Sequence, residues 1–323
     1  MLISSLLIYT LIWLGGYSVV RRESVVSTRE ISKRYGTITA LNGLNIEIGR
    51  GVFGLIGPNG AGKTTLIHIL LGLTKQDAGE GEVLGIDIVA GSDDIRKRTG
   101  VLHEKPSYPK TMTVEGYLDK VAKIYNSSES PQSILQKVGL SDAMSRQIGK
   151  LSAGMLQRLG IAQSLIGQPE LVFLDEPTSN LDVVGRDELI QLIIGLHREL
   201  DTSFIISSHI LSELERACHN VAFIRQGQII EVGSVPEVIR KFSTSTFRII
   251  ASDCEGLLTQ IAGIHGLVRP SVSGANTITF TIENKSIAEI QADIERAASA
   301  AKIKVYAVEP VQTLEEAFKV IMR

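Results

Sequence analysis

The chain has 323 residues, 44% of them hydrophobic, enough for one large domain and a smaller one with separate cores, which excludes a disordered or fibrous protein. A formal net charge of -2 supplies no basic field for gripping a phosphate backbone, so no nucleic-acid partner is expected. The two cysteines, Cys218 and Cys254, lack CxxC spacing and suggest neither a zinc site nor a disulfide framework.

In chain order, residues 1–20 carry no charged side chain and end at Arg21-Arg22. As a helix they would extend about 30 Å, the thickness of a bilayer core. Residues 1–24 therefore read either as one membrane anchor, its C-terminal end in the cytosol by the positive-inside rule, or as an upstream extension that is not normally translated. Residues 25–56 alternate short apolar runs with glycine turns, as in Ile46-Glu47-Ile48 and Val52-Phe53-Gly54-Leu55-Ile56, and predict strands. The second run leads straight into Gly57-Pro58-Asn59-Gly60-Ala61-Gly62-Lys63-Thr64. That segment fits the pattern G-x-x-x-x-G-K-(S/T) between a strand and a helix, the context a phosphate-binding loop requires. Its glycines let successive N–H groups turn toward phosphates at a helix N-terminus. Lys63 is expected to reach the β- and γ-phosphates of ATP, Thr64 to ligate Mg2+ through its hydroxyl, and Thr65 to touch the α-phosphate.

Residues 64–73 carry Leu66, Ile67, Ile69, Leu70 and Leu73 at helical spacing. A mostly helical stretch follows, broken by Asn126-Ser127-Ser128-Glu129-Ser130-Pro131, and predicts a helical subdomain over about residues 105–168. Inside it, Leu151-Ser152-Ala153-Gly154-Met155-Leu156-Gln157-Arg158 sets a hydroxyl and free backbone N–H groups at one helix N-terminus. This is either an anion site or an ordinary N-cap. The apolar runs Leu171-Val172-Phe173-Leu174 and Phe204-Ile205-Ile206, separated by a helical pattern, suit strands covered on both faces of a parallel sheet. The first ends in Asp175 and Glu176 and the second in His209, at the sheet edge where ligands bind. Asp175 is expected to hold Mg2+ and Glu176 to orient or deprotonate an attacking water. A polar break at residues 241–245 marks a boundary. Beyond it the order strand, helix, strand, strand, helix, strand and a terminal helix suggests a ferredoxin-like module, with capping boxes at Ser286/Glu289 and Thr313/Glu316. No catalytic constellation occurs there.

Together these segments resemble the ATP-binding cassette (ABC) ATPases, over about residues 25–238. In that family the loop at Gly57 is Walker A, the run ending in Asp175-Glu176 is Walker B, and the segment from Leu151 is the signature. His209 stands at the switch histidine that contacts γ-phosphate. Ser179-Asn180-Leu181-Asp182 resembles the D-loop, with Asn180 for the more usual glycine, and Tyr35 resembles the aromatic that stacks on adenine. The resemblance implies an α/β fold: a P-loop NTPase parallel sheet with a helical subdomain and an antiparallel β subdomain. These fill a nucleotide-binding domain over residues 25–240, with a small α+β ferredoxin-like domain at 245–323. Two residues depart from the common pattern. Glu104, in Gly100-Val101-Leu102-His103-Glu104, replaces a glutamine and cannot donate as an amide does; Met155 replaces the last glutamine of the signature. Both departures, with Glu309-Pro310 and Leu314-Glu315-Glu316-Ala317-Phe318, resemble the drug-efflux and sodium-efflux branch of exporters.

The same resemblance implies a motor subunit that uses ATP and Mg2+ at the cytoplasmic face of the membrane. It would pair head to tail with a second copy, so that ATP on Lys63 of one chain meets Ser152 and Gly154 of the other. Residues 104–117 would pass the motion to a separate permease. A competing reading is a soluble ABC ATPase acting on ribosomes or DNA. Such members generally carry two cassettes in one chain or long coiled-coil insertions, and neither occurs here. A third reading makes the C-terminal module a ligand sensor.

Overall fold

The computed structural model describes residues 24–242 and 246–322; the apolar N-terminal segment, read as an anchor or an upstream extension, lies outside them. The described chain opens with a hairpin of β1 (Ser24–Tyr35) and β2 (Ile38–Gly49), antiparallel up to the pair Tyr35 and Ile38. Next, β3 (Val52–Ile56), buried at every position, leads to α1 (Lys63–Leu70). β4 (Ala78–Val83) returns to pair with β1, and β5 (Ile86–Asp87) closes an antiparallel sheet of order β2-β1-β4-β5. After α2 (Ser92–Arg98) and β6 (Thr99–Leu102) come α3 (Val114–Ile124), α4 (Pro131–Lys137) and α5 (Ala153–Leu165), where a helical subdomain was expected. Thr113, Ser130 and Ser152 start these three helices by accepting a backbone N–H on a side-chain oxygen. Each such cap is worth about 1 kcal/mol. The chain continues through β7 (Leu171–Asp175), α6 (Val183–Leu200), β8 (Ser203–Ser208), α7 (Leu211–Ala217), β9 (Asn220–Arg225), β10 (Gln228–Ser234) and α8 (Val235–Phe242).

The central sheet has the order β10-β9-β3-β8-β7-β6, with β10 alone antiparallel to its neighbour. Alternation along each strand divides the apolar runs between two cores. Val172, Leu174, Phe204 and Ile206 face the side of α3 to α7, whereas Leu171, Phe173, Ile205, Phe53 and Leu55 face α1 and the antiparallel sheet. Nearly continuous hydrophobicity is what burial on both faces demands. Because β3, β6, β7 and β8 are parallel, the residues that follow them, Gly57, Glu104, Glu176 and His209, all leave from one edge of the sheet.

Beyond residue 245, β11 (Thr246–Ala251), α9 (Cys254–Ile261), β12 (Leu267–Gly274), β13 (Thr277–Ile282), α10 (Ile287–Ala300) and β14 (Val305–Pro310) build an antiparallel sheet of order β12-β13-β11-β14. Leu257, Ile261, Ile290 and Ile294 from its helices pack on Ile249, Ile278 and Phe280. Ser286 and Glu289 form the reciprocal capping box that their spacing predicts. The last helix, α11 (Leu314–Ile321), leaves this module, with which the sequence had grouped it. Leu314, Ala317 and Ile321 are buried in the core that includes α7 and α8. The Phe318 ring lies 6.3 Å from that of Phe223, and Glu215 on α7 accepts the Leu314 N–H at 2.9 Å. An amphipathic helix goes where its stripe finds apolar surface to cover, and that surface is on the larger unit. Among the described residues no helix is long and apolar enough to cross a membrane.

Candidate nucleotide site

The loop after β3 is shaped by close backbone approach. A Cβ on Gly57 would lie 2.4 Å from the Ile224 carbonyl oxygen, and Gly62, at φ 112°, would place one 2.6 Å from that of Ala40. Only glycine fits both positions. Pro58, Asn59 and Gly60 form the exposed crown, and Ala61 closes a turn by donating its N–H to the Pro58 carbonyl at 3.1 Å. With Gly62 as N-cap, no side chain occupies the N–H groups at the start of α1, which leaves a helix terminus suited to an anion. Lys63 is 6% exposed. Its Nζ donates to the Gly57 carbonyl at 2.7 Å and lies 3.1 Å from Glu176 Oε1. That carboxylate oxygen has no aligned hydrogen bond, so the contact is an attraction between charges.

Thr64, one residue on, donates its hydroxyl to Asp175 Oδ2 at 2.7 Å, and Ser207 donates to Asp175 Oδ1 at 2.5 Å. A hydroxyl and a carboxylate meeting at the mouth of the glycine loop form the hard-oxygen donor set that suits Mg2+. Thr65 lies next along α1, partly buried. Glu176 follows Asp175 in the left-handed backbone region, at φ 50°. Such a conformation costs a non-glycine residue about 1–3 kcal/mol. The backbone N–H of Glu176 offsets part of that by bonding both the carbonyl and the hydroxyl of Ser207, at 3.1 and 3.0 Å. The turn aims the carboxylate so that Oε2 lies 2.8 Å from His209 Nδ1. Lys63, Thr64, Asp175, Glu176 and His209, from three strand ends, are thus one connected cluster.

The other predicted residues lie outside its hydrogen bonds. Tyr35 is exposed at the tip of the β1–β2 hairpin, with Lys33 Nζ 5.5 Å from its ring centroid. Glu104, partly exposed beyond β6, lies 3.5 Å from Lys105 Nζ. Ser152 is the exposed N-cap of α5 and accepts the Met155 N–H at 3.3 Å. Gly154 has space around it, since the nearest atom to an added Cβ is on Leu181 at 3.9 Å. Asp182 is the exposed N-cap of α6 and accepts the Gly185 N–H at 2.8 Å. The cap reading of Ser152 describes what its side chain does within one chain, and Asp182 does the same for α6.

Sequence reading missed several neighbours of the cluster. Ser207 is legible in hindsight as a polar residue ending a buried apolar strand. His103 lies beside His68, ring centroids 5.8 Å apart; burial lowers its pKa, the second histidine adds to this, and Asp175 opposes it. Thr178 and Glu213 bond each other across 35 positions of sequence, with no local signal to announce it. Cavities of about 360 and 770 Å3 lie elsewhere, the first beside Arg50, Lys137 and Asp201, the second between α11 and the C-terminal sheet.

A profile described as ABC transporter matches residues 41–179. The chain is 38% identical over 212 residues to the bacitracin transport ATP-binding protein BcrA of Bacillus licheniformis, covering 65% of this chain and 69% of BcrA. It is 35% identical over 248 residues to a fluoroquinolones export ATP-binding protein of Mycobacterium tuberculosis, covering 75% and 82% of the two chains. Among solved structures, that of cbiO1 from Clostridium perfringens, part of the ABC transporter complex cbiONQ, superposes with a TM-score of 0.60 at 26% identity. The match covers 68% of this chain and 95% of cbiO1.

Proposed function

The chain belongs to the ATP-binding subunits of the ABC transporter family, ATPases that couple hydrolysis to transport, and on that premise we propose that it is the motor of an exporter whose translocation path is a separate permease. The relative whose name specifies export supports the direction. The observation that carries the site is the contact of Glu176 with both Lys63 and His209, at 3.1 and 2.8 Å, from three strand ends far apart in sequence. In this reading Lys63 and the backbone of residues 57–62 grip the phosphates, with Thr65 at the α-phosphate and Tyr35 against the adenine. Thr64 and Asp175 would hold Mg2+, which would supply positive charge to offset that of the phosphates. Glu176 orients the attacking water and takes its proton as the oxygen bonds to the γ-phosphorus and the bond to ADP breaks, while His209 contacts the γ-phosphate. Glu104 and the residues that follow pass the change to the permease at the cytoplasmic face of the membrane.

Ser152 and Gly154 serve the ATP of a second copy in this arrangement, with Asp182 near the junction of the two sites. Gly154→Asp is expected to fold normally, because the position has room and an acid is welcome at a helix N-terminus. Its charge would repel the partner's phosphates and lower ATPase activity by about a hundredfold. Mixing it with Lys63→Ala chains, themselves inactive, should restore roughly a quarter of the parent activity, since half of randomly paired dimers are mixed and each of those holds one complete site. No recovery in a phosphate-release assay would rule out the head-to-tail pair. For the transport role, native chain should copurify from membranes with a protein of several spans. Native protein that remains entirely in the soluble fraction and sediments with ribosomes would overturn the exporter reading.

A further inference from the structure

Glu213 lies on α7, four residues past His209, and is 3% exposed. Its Oε2 accepts the hydroxyl proton of Thr178 at 2.6 Å, and Thr178 is itself 1% exposed, two residues past Glu176. Among the described residues Oε1 has no hydrogen-bond partner, and Arg186 Nε lies 4.0 Å from it. Burying a carboxylate with so few partners costs several kcal/mol, and an apolar side chain would pack α7 at less cost. Burial also raises the Glu213 pKa, against the opposing effects of the Thr178 hydrogen bond and of the charges on Arg186, Arg216 and His209.

The bond closes a ring. Glu176 meets His209 at 2.8 Å, α7 leads from His209 to Glu213, and Thr178 leads back through Pro177 to Glu176. The same arc is tied further on. The Thr178 carbonyl accepts the Leu181 N–H at 3.1 Å, and the Leu181 carbonyl accepts Arg186 Nε at 2.9 Å. With Thr178 released, the left-handed turn at Glu176 would lose the tether on its C-terminal side.

We propose that Glu213 is a positioning residue for ATP hydrolysis: by holding Thr178 it locks residues 176–182 to the helix behind His209, so that Glu176, His209 and the D-loop move as one body. The inference rests on the roles given above to Glu176 and His209. Glu213 touches no nucleotide group in that scheme, so its loss acts on turnover and leaves binding alone.

The test uses the purified full chain, with kcat and KM from phosphate release and the ATP dissociation constant from calorimetry. Glu213→Ala should lower kcat about tenfold, the rate equivalent of about 1.4 kcal/mol, and leave ATP affinity within about twofold. Glu213→Gln keeps an oxygen for the Thr178 hydroxyl and should recover to within about threefold of the parent. Thr178→Val, which removes only that hydroxyl, should match Glu213→Ala, and the double variant should be no slower than either single one. Thr178→Val also carries the test if Glu213→Ala does not fold. Parent-like kcat in Thr178→Val, additive losses in the double variant, or a Glu213→Gln as slow as the alanine variant would each overturn the tether. Glu176→Gln is measured alongside. If it turns over at the parental rate, the reading of the site itself fails and the tether with it. If it is slow while Glu213→Ala and Thr178→Val are fast, only the tether fails.

Discussion

Glu176→Gln is expected to bind ATP and to hydrolyse it about 10²- to 10⁴-fold more slowly than the parent chain, the range over which a positioned general base acts. The amide preserves volume and can still bond His209 across the 2.8 Å gap, so the local geometry persists while proton acceptance is lost. A second consequence follows from the charges. Lys63 Nζ is 3.1 Å from Glu176 Oε1 in a site where both residues are nearly buried. The carboxylate and bound phosphates would compete for that ammonium, and at an effective dielectric near 20 a unit pair at such range interacts by about 5 kcal/mol before desolvation is counted. Removing the carboxylate should therefore tighten ATP binding by several-fold while it stops turnover, and size-exclusion chromatography in ATP should show a trapped dimer. Phosphate release within about threefold of the parent would remove Glu176 from the role of base.

Lys63→Ala is expected to abolish nucleotide binding at ordinary concentrations. Removing one partner of a buried charge pair costs about 3–5 kcal/mol, which corresponds to a loss of about 10²- to 10³-fold or more in affinity. Two effects add here. The phosphates lose their counter-charge, and Glu176 remains beside them as an uncompensated anion, held only by His209. Calorimetry should register no ATP binding, and the thermal transition, which ATP is expected to raise in the parent by stabilising the native state, should not shift in the variant. Affinity within about tenfold of the parent would contradict the phosphate-loop assignment.

Legibility in the sequence followed the range of the forces involved. The loop from Gly57 to Thr64 could be read directly, because a contiguous pattern sets its own backbone and its own helix N-terminus. The starts of α5, α6 and α10 were equally local, each set by one side chain reaching a backbone N–H three positions on. Runs such as Leu171 to Leu174 predicted strands covered on two faces, yet nothing in them names a neighbour. β3 pairs with β8 and β9, both more than a hundred residues later, because any of the parallel apolar strands could hydrogen-bond any other and only the packing of both cores selects among them. α11 is the same case in helical form. Its stripe of Leu314, Ala317 and Ile321 announced a buried face but not the surface that buries it.

The chemistry of single segments was therefore present in the chain from the start: a glycine loop at a helix N-terminus, two acids and a histidine at strand ends, and capped helices in order. Assembly of those segments was not. That Glu176 lies between Lys63 and His209, that Asp175 is shared by Thr64 and Ser207, and that Glu213 reaches Thr178 depend on strand order and on how two cores close around the central sheet. Backbone patterns act over a few residues and can be read along the chain, whereas burial and charge pairing act across space and exist only once the chain has folded.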